Sequence, residues 1–394
     1  MNTLKTGIAL SGLLMSSAAF SAEPSNNELL DLIQKQQKQI QELQNQTKKT
    51  EKKAVRNDEK IESSITAIEQ VLDKSSNNKT KIGGYGELHY NNIEEDQSID
   101  FHRFVLFISH EFSDTIRFVS EFELEHALSG SAQPGEVELE QAYVEIDLTD
   151  ITLLKSGVFL VPVGITNETH EPPSFYGVER NPVEKNIIPS TWWEAGAAIS
   201  TQLSKGVTAD FAIHSGLSVP TSGNKSFLIR SGRQKAAKAN ADSLAYTARI
   251  KYSAIPGLEL AASYQHQTDV TQGSLDANAN LFSAHISYTN NNFGLKALYA
   301  TWKIDSSIAE AVGRDHQTGY YIEPSYKINE NFGLFARYNA WDNNAGNSLE
   351  TEKEQSNVGL NYWPHEDVVF KVDFENRSGA HDGKGFNLGV GYQF

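Results

Sequence analysis

The chain has no cysteine, few prolines, a deficit of basic residues and, beyond its first twenty residues, no long apolar run. Without cysteine there is neither a disulfide framework nor a thiolate metal site. Without a stretch of about 18 apolar residues there is no transmembrane helix beyond the start of the chain. A formal charge of −16 argues against nucleic acid as a partner, because phosphate chains are held by a basic face. Apolar residues make up only 39% of the 394, too few for a large buried core of ordinary type. Tyrosine and phenylalanine are nevertheless plentiful, a composition that suits a barrel with a polar interior.

The prolines are few but gathered. Five of the eleven (Pro162, Pro172, Pro173, Pro182 and Pro189) fall within residues 161–193, which have no helical or strand period. Proline removes a backbone donor and fixes φ, so this stretch is neither a central strand nor a helix. A structureless loop of that length is usually functional.

Residues 1–22 read as a secretory signal: Lys5 supplies the positive start, residues 8–15 the apolar run, and small residues the exit, with cleavage after Ser21 or Ala22. Residues 23–74 are the helical segment, free of glycine and proline from Asn27 onward. A heptad seam runs through Leu30, Ile33, Gln37, Ile40, Gln44, Thr47, Glu51, Ala54, Asp58, Ile61, Ile65, Ile68 and Leu72, which predicts a coiled coil in the periplasm. A solvated spacer is the plainer reading of the same segment. Residues 75–81 are a polar linker, after which the period changes from 3.5 to 2.

Sixteen alternating segments follow: 82–92, 99–112, 115–127, 137–148, 152–161, 192–203, 207–217, 243–254, 258–269, 280–290, 293–304, 316–328, 332–342, 355–363, 368–377 and 385–394. Short connections take turns with longer ones, and most segments have the length of a tilted strand that crosses an outer membrane. In 368–375, Val368, Phe370, Val372 and Phe374 share one side while Lys371, Asp373 and Glu375 share the other. Sixteen strands enclose too wide a bore to fill with side chains, so the apolar side faces lipid. The fold expected is an all-β, sixteen-stranded antiparallel transmembrane barrel at 82–394, preceded by the α-helical coil. An even strand count puts both barrel ends, and the coil, on the periplasmic side.

Within the long loop, Glu168, His170, Glu171, Glu179, Arg180, Glu184 and Lys185 are the candidate pore constriction at 163–190, facing the wall residues Arg103, Arg117, Glu121 and Glu123. Charges in a narrow section set ion preference. Arg180 either faces the lumen or pins the loop by pairing with Glu179 or Glu184. A second basic group, Lys225, Arg230, Arg233, Lys235 and Lys238, belongs to the outer loop after the seventh strand. There it attracts anionic solutes, bridges to lipopolysaccharide phosphates, or is simply solvated. Catalysis finds no support: the eleven histidines lack ligand spacing and no nucleophile elbow is present, so neither metal nor cofactor is expected.

Several short motifs resemble the phosphate-selective porin superfamily. They are Phe101-His-Arg-Phe-Val-Leu with Ser113-Asp, Phe118 and Glu121, then Gln141-Ala-Tyr-Val-Glu, Val161-Pro-Val-Gly, Gly177-Val-Glu-Arg and the terminal Phe394. With the coil, the chain looks most like the DcaP-like trimeric porins. The resemblance implies a homotrimeric, sixteen-stranded channel of the outer membrane. It also implies inward rows of arginine and a lysine cluster, whereas the inward positions here carry a mixed set in which acids slightly outnumber bases. Residues 82–394 hold 22 basic against 40 acidic side chains. The function expected is a diffusion channel for small hydrophilic solutes or ions; the alternative is a structural or adhesive protein tethered by its coil.

Overall fold

A computed structural model describes residues 79–94 and 96–394. The expected signal and coiled coil lie outside the described residues.

The described residues form sixteen strands. The first eight are β1 (Thr80–Ile93), β2 (Asp96–Ser113), β3 (Ile116–Glu125), β4 (Val137–Thr149), β5 (Thr152–Leu160), β6 (Trp193–Ser204), β7 (Val207–His214) and β8 (Ala245–Tyr252). The rest are β9 (Leu258–Gln267), β10 (Asn278–Asn290), β11 (Phe293–Asp305), β12 (His316–Lys327), β13 (Phe332–Asp342), β14 (Lys353–His365), β15 (Val368–Gly379) and β16 (Gly383–Gln393). Each pairs with its sequence neighbours, and β1 pairs antiparallel with β16 to close the barrel. Closure removes every sheet edge, so all backbone groups of the wall are satisfied within it. Strand order and number are as the alternation predicts. β1 starts at Thr80, inside the expected linker.

The two faces differ as expected. Phe122, Phe370, Phe374, Tyr320, Ile322 and Leu334 are exposed, while Glu121, Glu123, Lys371, Asp373, Glu375, Glu323 and Arg337 on the alternate positions are buried. An apolar exterior on a closed barrel is stable in lipid.

The interior corrects one expectation. It holds an apolar core, built from Val183, Ile187, Ile188 and Trp192 of the long loop, Leu217, Phe227 and Ile229 of the connection after β7, and Leu281, Leu298, Trp302 and Tyr321 of the wall. Low overall hydrophobicity hid it because these residues are spread over two connections and three strands, with no continuous run in the sequence.

Candidate functional site

The 161–192 connection folds into the barrel. Asn167 closes its neck: the side-chain amide donates to the carbonyls of Val161 (2.8 Å) and Trp192 (3.0 Å) and accepts from the Trp192 amide (2.7 Å). From there the chain meets inward side chains around much of the wall. Ser263 of β9 donates to the Pro162 carbonyl, and Trp302 of β11 to that of Ile187. Arg337 of β13 donates to the carbonyls of Tyr176 and Glu179, Asn361 of β14 to that of Phe175, and the Val178 amide to Asp373 of β15.

Glycine marks where the loop leans on the wall. A Cβ on Gly319 would lie 3.0 Å from Ile187 and 3.1 Å from Val183, both in the loop's short helix α1 (Val183–Asn186) or at its end. On β16, a Cβ at Gly391 would meet Pro172 at 2.2 Å and one at Gly389 would meet Val178 at 3.1 Å.

Glu184 does not face the lumen as its charge suggests. It is buried and takes hydrogen bonds from the amides of Ile165 (2.8 Å) and Thr166 (2.7 Å), the Asn181 amide group (3.2 Å) and the Tyr321 hydroxyl (3.0 Å). Gly164 makes room for this carboxylate, which sits 2.5 Å from where a Cβ would be. His170 and Glu171 are likewise buried rather than lumen-lining. Glu168 pairs with Arg249 of β8.

The wall residues Arg103, Glu121 and Glu123 are buried, and Glu121 lies against His170 of the loop. Arg103 pairs with Glu87 at 2.7 Å and lies 3.8 Å from Glu123. Arg117 keeps its water contact and pairs with Glu145 and Asp147. Glu179 is only partly buried and is held by His89 of β1 at 2.9 Å and Asn91 at 3.1 Å.

Arg180 pairs with neither Glu179 nor Glu184; its guanidinium donates to the Thr191 hydroxyl at 2.9 Å. The outer basic group is also placed differently from expectation. Arg230 reaches in to the carbonyls of Lys185 (3.1 Å) and Ser190 (2.5 Å), and Arg233 to that of Thr191 (2.6 Å). Lys235 pairs with Glu136 and Glu138. The connection after β7 therefore folds inward too, because its apolar residues Leu217, Phe227 and Ile229 join the internal core and carry the arginines with them.

Arg180, Lys185, Arg230 and Arg233 thus gather where the two loops meet. Lys185 is open to water although protein crowds round it. Burial lowers its pKa, and Arg230 and Arg180 push the same way against Glu179. Burial, then Arg233 and Arg180, push the Arg230 guanidinium down to about 9. Burial is the larger cause of both shifts; the cations also crowd one another, with Glu179 beside Lys185 and Glu138 and Glu140 beside Arg233.

Two groups of ligand-type side chains occur among the described residues: Asp100 with His102 and His126, and the fully buried set Glu121, Glu140 and His170. Glu140 escapes an alternation reading. A bulge sets Glu121 opposite Gln141 and Phe122 opposite Leu139, which leaves Glu140 as the extra residue of β4. Consecutive residues Glu140 and Gln141 are both buried as a result.

The profile of the family described as phosphate-selective porin O and P matches residues 81–384. An uncharacterized protein of Aquifex aeolicus (strain VF5) is 33% identical over 327 residues, 74% of each chain. Among solved structures, the fold is similar to that of the outer membrane channel DcaP of Acinetobacter baumannii, at 14% identity and a TM-score of 0.56 over 80% of this chain and 97% of that one. It is also similar to the anion-selective porin from Comamonas acidovorans, at 14% identity and a TM-score of 0.58 over 80% of this chain and 99% of that one.

Proposed function

Because the chain belongs to the phosphate-selective porin O and P family, whose profile spans most of its barrel, we propose that it is an outer-membrane diffusion channel narrowed by its inward loops and favouring small anions. The observation that carries this reading is the convergence of Arg180, Lys185, Arg230 and Arg233 where the 163–190 loop meets the connection after β7. A sixteen-stranded wall leaves an aqueous lumen, so the narrowest element governs flow. Fixed charge in that element attracts counter-ions and repels co-ions, and low-dielectric walls focus its field. Of the acids beside the cluster, Glu179 is engaged by His89 and Glu138 by Lys235, while much of the remaining acidity is paired elsewhere in the barrel.

The 163–190 loop is the constriction in this reading, although its water-contacting charges are Glu179, Arg180, Lys185 and Glu168, the last paired with Arg249, rather than the full set expected. A homotrimer is the assembly that the resemblance to DcaP-like trimeric porins implies, and the longer connections face outward. Neither a phosphate-specific ladder nor an enzyme activity is part of the proposal.

Reversal potentials across planar bilayers in a potassium chloride gradient test it. Wild type should be anion-selective. Arg230→Glu and Lys185→Glu should each move the reversal potential toward cations, and Arg180→Glu should do so if its guanidinium lies in the ion path. Unchanged selectivity in the double variant Lys185→Glu/Arg230→Glu would sink the proposal.

A further inference from the structure

The set Glu121, Glu140 and His170 lies where the inward loop touches β3 and β4, and all three side chains are sealed from solvent, at 0%, 2% and 1% exposure. The geometry points to a structural binding site for a divalent transition ion of the zinc class, held between His170 Nε2 and one oxygen each of Glu121 and Glu140, which clamps the loop to the wall.

Hydrogen bonding fails to account for the arrangement. His170 Nε2 lies 3.4 Å from Glu121 Oε1 and 3.7 Å from Glu140 Oε2, and the three ligand atoms fall within 4.8 Å of one another. An imidazole N–H bound to a carboxylate closes to about 2.7–2.9 Å. Ligands around a tetrahedral zinc, each about 2.0–2.2 Å from the ion, sit roughly 3.4 Å apart. His170 Nε2 and Glu140 Oε2 are accordingly buried without any hydrogen-bond partner. The outer group behaves otherwise: His126 Nδ1 lies 2.7 Å from Asp100 Oδ2, an ordinary hydrogen bond.

Surrounding contacts fit an ion as well. His170 Nδ1 lies 3.2 Å from the Asn167 carbonyl, which can only accept, so Nδ1 carries the proton. In a neutral ring that leaves the Nε2 lone pair aimed at two carboxylates, which is repulsive unless a cation lies between them. Donating the other ring N–H to a backbone carbonyl is the usual support of a metal-bound histidine. Gln141 donates to Glu121 Oε2 at 2.7 Å, and the Tyr85 hydroxyl reaches Glu121 Oε1 only at 3.4 Å, long for a hydroxyl donor, which leaves a lone pair of Oε1 for an ion. The β4 bulge turns both Gln141 and Glu140 inward. Three protein ligands hold zinc where a water molecule, here an enclosed one, completes the tetrahedron. The site is independent of the channel's ion preference.

The rival occupant is a proton on Nε2, and Glu140→Gln separates the two. With an ion, this variant removes a ligand and weakens the clamp. With a proton, it removes a surplus buried carboxylate and leaves stability equal or higher. Full-length protein carrying His126→Gln, which disables the outer group, would be refolded with zinc sulfate in detergent, desalted, and assayed for metal content and thermal midpoint. About one zinc per chain is expected. His170→Gln and Glu140→Gln should lower retention at least tenfold and lower the midpoint, and refolding with a chelator should lower the parent's midpoint to match. Absence of retained zinc in the parent, retention unaffected by His170→Gln, or a Glu140→Gln midpoint at or above the parent's would each overturn the assignment.

Discussion

His89 on the first strand and Glu179 in the inward loop, ninety residues apart in the chain, meet at 2.9 Å. Burial alone would raise the Glu179 carboxyl, but the hydrogen bond and charge of His89 outweigh it and hold the carboxyl below its ordinary value of 4.5. A depressed carboxylate contributes stability that is complete above its unfolded pKa and is lost as pH falls through the folded one. The difference in thermal midpoint between wild type and Glu179→Gln should therefore be full between about pH 6 and pH 5 and shrink below pH 4.5. A gap undiminished at pH 3 would mean that Glu179 acts through shape rather than charge.

Lys185 sets a second pH dependence, of opposite sense. Because burial and the neighbouring guanidinium groups lower its pKa, it sheds its proton before an ordinary lysine at 10.5 would. Anion preference should decline with rising pH before that value is reached, and Lys185→Met should lose only the Lys185 share of the decline, because Arg230, pushed down to about 9, keeps its own. Reversal potentials taken from pH 6 to pH 10 would show it.

Filling a glycine seat should dislodge the loop. Gly389→Leu places a side chain where Val178 now rests, and Gly319→Val does the same against α1. Overpacking of this kind costs about 1–3 kcal/mol. Each variant should still form barrels but unfold at lower denaturant and conduct with greater current noise.

Trp302 and Phe374 make a paired test of where packing matters. Trp302 is fully buried in the internal core, whereas Phe374 is 66% exposed on the outer face. Trp302→Ala should cost about 3–5 kcal/mol. Phe374→Ala should cost less, about 1.5–3 kcal/mol, because the ring leaves lipid for water on unfolding but no internal cavity is left. Urea titrations of refolded protein in lipid vesicles would measure both.

Orientation can be read by labelling. Ser348→Cys lies in the connection between β13 and β14, and Asn291→Cys in the tight turn between β10 and β11, at opposite ends of the barrel. An impermeant maleimide added to intact cells should modify the first and spare the second.

The wall was legible because a period of two is written strand by strand, as in Val368 to Glu375, and because Pro162 to Pro189 cannot pair. The inward faces of Arg103, Arg117, Glu121 and Glu123 followed from the same alternation. What alternation cannot carry is a bulge: counting by twos from Gln141 puts Glu140 on the lipid side, and only the shifted register brings it inside. Nor does charge say which residues of a loop meet water. Glu184 reads as a lumen charge, yet four donors hold it in the packing. Arg230 and Arg233 stood out as a basic patch in an acidic barrel, but their inward turn depends on Leu217, Phe227 and Ile229 finding a core whose other members lie on remote strands.

That internal core divides the molecule between two solvents. Hydrocarbon is as apolar as leucine and gives outer phenylalanines little to escape from, so nothing drives them together. Trp192, Trp302 and Phe227 began in water, inside the lumen, where apolar contact is favoured. The loops therefore assemble as a small globular protein would, with strands β10 to β13 as their floor. A membrane protein of this design keeps an aqueous folding problem within its own wall, and its inner half should weaken in the cold while its outer half does not.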